Sequence, residues 1–132
     1  MRSLVTPLAL AVGVLLAPAA EPAGAAEPLT IVALGTSLTE GSDWPQRLGR
    51  TLSACLSRPV RVEVVAGSGM TSDWGLEQLG RVASLMPDIV LVEFAMNDAN
   101  WRRFVSRERS RANTVAIGRG IQDRVPGQRS SS

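Results

Sequence analysis

The sequence predicts an α/β fold built on a parallel sheet. Three observations carry that prediction. Apolar runs of strand length at residues 29–34, 60–66 and 89–94 alternate with segments of helical period. Such alternation gives parallel strands joined by right-handed crossovers. The runs at 29–34 and 89–94 are almost continuously apolar, and the first reads as a buried strand. Each run also ends in a turn of small and polar residues, and ligands of open parallel sheets bind beyond the carboxyl ends of their strands.

The elements follow in order. Leu29-Thr30-Ile31-Val32-Ala33-Leu34 stops at Gly35 and forms the first strand. Residues 44–56 form a helix, with Ser42 or Asp43 as its cap and Pro45 in its first turn, where a missing N–H costs nothing. Leu48, Leu52 and Leu56 recur at helical spacing around Cys55, which predicts a buried thiol. Val60, Val62, Val64 and Val65 mark the second strand, over 60–66. Ser72 or Asp73 caps a helix to about residue 85 that carries Leu76, Leu79, Val82 and Ala83, and Met86-Pro87 ends it. The third strand covers 89–94, with Glu93 expected to find a partner or to sit near its exposed end. Residues 106–125 form the last helix, with Ala112, Val115, Ala116, Ile117 and Ile121 on a broad apolar face. Gly118 and Gly120 weaken its later part. There is no internal repeat and no dividing linker, so residues 27–132 read as one domain.

Composition narrows the chemistry. The chain has 132 residues, 45 % of them apolar and 20 % charged, the balance of a globular protein rather than a disordered one. It has 14 Arg, no Lys, one Cys and no His. That excludes a Ser-His-Asp triad made from this chain alone, a His-ligated metal site, an internal disulfide and a Cys-cluster zinc site. Charge is uneven, with −4 over residues 27–100 and +6 over 101–132. The later Arg residues are spread over a helix with little aromatic interleaving, so they read as a solvated face rather than a nucleic-acid surface.

Residues 1–26 have the three parts of a secretory signal peptide. Met1-Arg2 is positive, Leu4 to Leu16 is apolar, and Ala23-Gly24-Ala25-Ala26 offers a small-residue cleavage region. The apolar run falls short of the roughly 20 residues that span a membrane. The expected location is therefore periplasmic or secreted, with no stable membrane span after cleavage.

The turns after the strands define a candidate site. They are Gly35-Thr36-Ser37-Leu38-Thr39-Glu40-Gly41, Gly67-Ser68-Gly69-Met70-Thr71-Ser72 and Ala95-Met96-Asn97-Asp98-Ala99-Asn100. Ser37, Gly69 and Asn97 are 32 and 28 residues apart, close to one strand-helix-strand unit each. With the first strand central, the three turns converge on one rim. A Ser at a strand-to-helix turn is a candidate nucleophile. The Ser37 N–H, the Gly69 N–H and the Asn97 amide would be donors for an oxyanion. A glycine at 69 lets backbone approach the substrate.

Gly35-Thr36-Ser37-Leu38, Gly69 within Ser68-Gly69-Met70-Thr71-Ser72, and Asn97-Asp98 resemble three successive blocks of the SGNH (GDSL-type) hydrolases. The resemblance covers roughly residues 29–125. It implies a three-layer α/β/α, flavodoxin-like sandwich and hydrolysis of an ester or thioester of a small molecule. It implies Ser37 as nucleophile, Gly69 and Asn97 in the oxyanion hole, and no metal or organic cofactor. Three positions depart from the pattern. Thr36 replaces Asp, and Ala95 replaces a frequent Gly. The Asp-x-x-His block that supplies the family's base is absent, and Asp123-Arg124-Val125-Pro126 does not replace it. The expectation is a member truncated at its C-terminus, weakly active at most.

Two other classes fit the same residues. One is a non-catalytic remnant that binds an ester or sugar ester without turnover. The other is a flavodoxin-like phosphate- or nucleotide-binding module, opposed by Glu40 and by the lack of a Walker-type Gly-Lys-Ser/Thr. Trp44, Trp74 and Trp101 each follow a rim turn and are candidates to line an apolar pocket. A third strand without a further neighbour would expose an edge and favour self-association.

Overall fold

The computed structural model describes residue 24 and residues 26–125. The expected export signal, residues 1–26, lies outside the described residues except for 24 and 26. Three parallel strands form the sheet: β1 (Leu29–Gly35), β2 (Val60–Ala66) and β3 (Ile89–Val92), in the order β2-β1-β3. Register runs from Leu29 opposite Val60 to Gly35 opposite Ala66, and from Ile31 opposite Ile89 to Leu34 opposite Val92. β1 is therefore central, and it is buried from Ile31 to Gly35. Its unbroken apolar run follows from burial on both faces.

Helices α1 (Trp44–Leu56), α2 (Ser72–Glu77), α3 (Leu79–Ser84), the single turn α4 (Ala95–Asp98) and α5 (Arg107–Arg124) complete the fold, with a 3-10 turn at Trp101–Arg103. Alternate strand residues point to opposite faces. Val32, Leu34, Val65 and Val90 cluster with Leu79 and Val82 of α3 and with Ile117 and Ile121 of α5. On the other face, Val62 Cγ2 would lie 3.3 Å from a Cβ at Gly49, so α1 packs there. Helices thus cover the sheet on both sides, as the predicted α/β/α class requires.

α1 and β2 have their predicted bounds. β3 stops at Val92 rather than at 94, and the cap position of α2 is Thr71 rather than Ser72 or Asp73; three larger expectations also need correction. The helix expected over 72–85 is two, α2 and α3, meeting at Gln78. The Gln78 N–H bonds to the Gly75 carbonyl at 3.2 Å, three residues back, which tightens the turn there. Gly75 is itself a poor helix residue. It is needed because a Cβ would come within 2.6 Å of the Phe94 ring. Second, Cys55 is exposed. The buried positions of α1 are Pro45 and Gly49, and Cys55 lies off that stripe on the last turn.

Third, the buried stripe of α5 is Asn113, Ile117, Gly120 and Ile121, while Ala112, Val115 and Ala116 are exposed. Those three line an open groove of about 770 Å3 with Leu76 and Leu79. A Cβ at Gly120 would meet Leu79 Cδ1 at 2.6 Å, so this glycine lets α5 approach α3. Ser106 caps α5, its hydroxyl accepting from the Arg109 N–H at 3.1 Å. Among the described residues β3 pairs only with β1, and Ile89, Leu91 and Val92 are about 40 % exposed, at 42, 39 and 41 %. No helix of the described residues is long and apolar enough to cross a membrane.

Candidate active site

Ser37, Gly69 and Asn97 stand on three turns at the carboxyl ends of β1, β2 and β3. Because β1 is central, the turns are neighbours, and hydrogen bonds tie them together. The Ser68 N–H and hydroxyl both donate to Glu40 Oε2, at 2.6 and 2.5 Å, joining the second turn to the first. Asn97 Nδ2 donates to the Met70 carbonyl at 2.7 Å, joining the third to the second. The Gly67 N–H donates to the Gly35 carbonyl at 3.2 Å, which extends the β1–β2 ladder into the rim.

The first turn is held from below. Thr36 is buried, and its hydroxyl donates to Glu93 Oε2 at 2.7 Å. The same hydroxyl accepts from the Leu38 N–H at 3.3 Å, and the Thr36 carbonyl accepts from the N–H groups of Thr39 and Glu40, both at 2.9 Å. Glu93 thereby finds the partner expected of an acid in an apolar strand. Glu93 Oε1 is buried with no hydrogen-bond partner. Anchoring Thr36 leaves Ser37 exposed on the rim, and its hydroxyl makes no hydrogen bond among the described residues.

Gly69 has φ +75, a conformation that favours glycine over residues with a Cβ. Asn97 is half-buried. Its bond to Met70 uses one of two amide hydrogens and leaves the second for a ligand. Its neighbour Asp98 is buried and serves the fold. Asp98 Oδ1 accepts from the Ser72 N–H at 2.9 Å, and Oδ2 accepts from the Ser110 hydroxyl at 2.6 Å. Asn113 Nδ2 donates to Ser72 Oγ at 2.9 Å and to Asp73 Oδ1 at 2.8 Å, and Arg109 Nε donates to the same Asp73 oxygen at 2.9 Å. Thus α5 and the start of α2 are locked under the third turn.

The tryptophans part company. Trp74 packs edge-on to Phe94, ring centroids 6.3 Å apart, against the core. Trp44 Nε1 donates to the Leu38 carbonyl at 3.0 Å and braces the Ser37 turn. Trp101 is exposed, lies beneath the Arg102 guanidinium, and lines an open hollow of about 510 Å3 with Ala95, Ala99 and Val105. The larger groove beside α5 contains none of Ser37, Gly69 and Asn97. The rim is thus separate from that groove.

Sequence reasoning missed the buried network of Ser72, Asp98, Ser110 and Asn113. A polar Asn113 on the inner stripe of α5 was its one local signal. It also missed Arg103, whose guanidinium covers Gly69 from 34 positions along the chain.

The model of the GDSL-like lipase/acylhydrolase family matches residues 33–130, which include all three candidate residues. The chain belongs to this family. Solved structures agree in fold. The lipase/acylhydrolase from Enterococcus faecalis superposes with a TM-score of 0.65 at 27 % identity, over 74 % of this chain and 54 % of that one. AlinE4, an SGNH-hydrolase family esterase, gives 0.65 at 27 % identity over 78 % of this chain and 58 % of its own. TesA gives 0.62 at 25 % identity, over 72 % and 55 %. The chain thus spans rather more than half the length of these relatives. No curated protein matches it.

Proposed function

We propose that the chain carries the nucleophile and oxyanion-hole part of a site that acts on carboxylic esters or thioesters. The observation that carries this reading is the exposed Ser37 hydroxyl, free of hydrogen bonds among the described residues and standing on a rim where the Gly69 and Asn97 turns are tied beside it. Ser37 Oγ attacks the ester carbonyl carbon and the carbonyl oxygen takes up negative charge. The N–H groups of Ser37 and Gly69 and the second Asn97 amide hydrogen are the donors for that oxygen. Collapse expels the alcohol or thiol and leaves an acyl-Ser37, which water then hydrolyses.

The Ser37 proton needs an acceptor, and the chain has no His. Without such a base on this chain, attack by Oγ is slow. The same absence favours a second reading, in which the site binds esters without turning them over. A fluorophosphonate probe with mass-spectrometric mapping separates the two. One adduct on Ser37, abolished by Ser37→Ala, is the expected result, with weak turnover of a p-nitrophenyl butyrate substrate. An unlabelled Ser37 would favour the binding-only reading, and labelling elsewhere would sink both.

A further inference from the structure

We propose that Arg103 is a specificity-determining residue of this rim, selecting esters that also carry a carboxylate. The proposal rests on the reading of Ser37, Gly69 and Asn97 as one ester site. The guanidinium of Arg103 lies against Gly69. A Cβ at Gly69 would be 2.7 Å from Nη2 and 3.2 Å from both Cζ and Nη1. Gly69 therefore does two things: it adopts φ +75, and it makes room for the cation. The guanidinium is a planar fork of N–H donors. That planar fork matches a carboxylate edge.

No acid of the rim satisfies it. Arg103's guanidinium makes no hydrogen bond or ion pair among the described residues. Glu40 commits Oε2 to Ser68, Glu93 is bonded to Thr36, Asp98 to Ser72 and Ser110, and Asp73 to Asn113 and Arg109. Among the described residues a cation thus sits unpaired beside Gly69, while each of these carboxylates is bonded elsewhere through at least one oxygen. Arg102, next to it, turns the other way onto the Trp101 ring, 5.2 Å from its centroid. The free charge beside the site is that of Arg103, and an anionic group on the ligand supplies its partner.

The test compares two esters of equal length, mono-methyl glutarate and methyl valerate, which differ in a terminal carboxylate. Each is titrated into the full 15N-labelled chain and followed at the Gly69 amide. The anionic ester binds about fivefold tighter, the upper range for an exposed ion pair. Arg103→Gln removes the preference, Arg103→Lys keeps part of it, and Arg81→Gln, on α3, leaves it intact. Roughly 1 M salt, which screens beyond about 3 Å, weakens it. Equal affinities, or a preference that survives Arg103→Gln in a chain with an otherwise unchanged spectrum, overturn the proposal. Ser37 labelling without the preference defeats the anion site and leaves the hydrolase reading standing. The preference without labelling does the reverse.

Discussion

Two polar layers of the rim differ in kind. Beneath it, Thr36, Ser72, Asp98 and Asn113 are all at most 8 % exposed, and each is hydrogen-bonded across the fold. Above it, Ser37 and Arg103 are exposed and their side chains bond to nothing among the described residues. A buried polar atom without a partner costs stability, so these four side chains are all engaged, although Glu93 Oε1 beside them is not. An exposed atom pays no such penalty and stays available to a ligand. The lower layer holds the turns, and the upper layer carries the chemistry.

Removing the lower layer should therefore unfold the chain before it alters a ligand. The largest effect is expected at Asp98, whose two oxygens hold Ser72 and Ser110. Asp98→Ala strands a buried N–H and a hydroxyl and should cost about 3 kcal/mol in urea unfolding. A loss below about 0.5 kcal/mol, the size of an ordinary surface change, would break the division between the layers. Thr36→Val comes next. It removes the 2.7 Å donor to Glu93 Oε2 while Oε1 already lacks a partner. Only the Thr36 N–H at 3.4 Å then remains. A loss of about 2 kcal/mol is expected by the same measurement.

The two layers also differed in how far they could be read from sequence. β1, α1 and β2 were legible because their signals are local: an apolar run ending in Gly35, Pro45 at a helix start, alternating valines. Ser37, Gly69 and Asn97 were legible because each follows a strand, and strand ends share a rim once the sheet is parallel. The lower layer was not. Asp98 meets Ser72 from 26 residues away, Asn113 meets the same Ser72 from 41, and Thr36 meets Glu93 from 57. No spacing rule joins such pairs: packing of α5 against α2 brings Asn113 to Ser72, the approach of the turn after β3 to the turn after β2 brings Asp98 there, and β1–β3 pairing brings Thr36 to Glu93. The break at Gln78 escaped for the same reason. Gly75 stands there because the Phe94 ring occupies the space a Cβ would take, a contact from another element.

A smaller effect on stability is expected at Asn97, which stands between the layers. Its Nδ2 bond to the Met70 carbonyl ties two turns, and its other hydrogen faces outward in the proposed role. Asn97→Ala should cost about 1 kcal/mol, the ordinary net worth of one hydrogen bond. It should also slow fluorophosphonate labelling of Ser37 by roughly 10²-fold, the low end for loss of an oxyanion donor. Lost stability with an unchanged labelling rate would assign Asn97 wholly to the lower layer.

The smallest stability effect belongs to Ser37, and it is the sharpest test of the comparison. Replacing an exposed hydroxyl that bonds to nothing among the described residues leaves none of their groups unpaired and opens no cavity. Ser37→Ala should shift unfolding by no more than about 0.5 kcal/mol, in either direction, while removing the fluorophosphonate adduct altogether. A stabilisation within that range is consistent with the role, since residues placed for chemistry are not optimised for the fold. A loss above about 1 kcal/mol, the net worth of one hydrogen bond, would mean that the hydroxyl supports the turn as Thr36 does. Ser37 would then belong to the layer that holds the rim rather than to the layer that meets the ester.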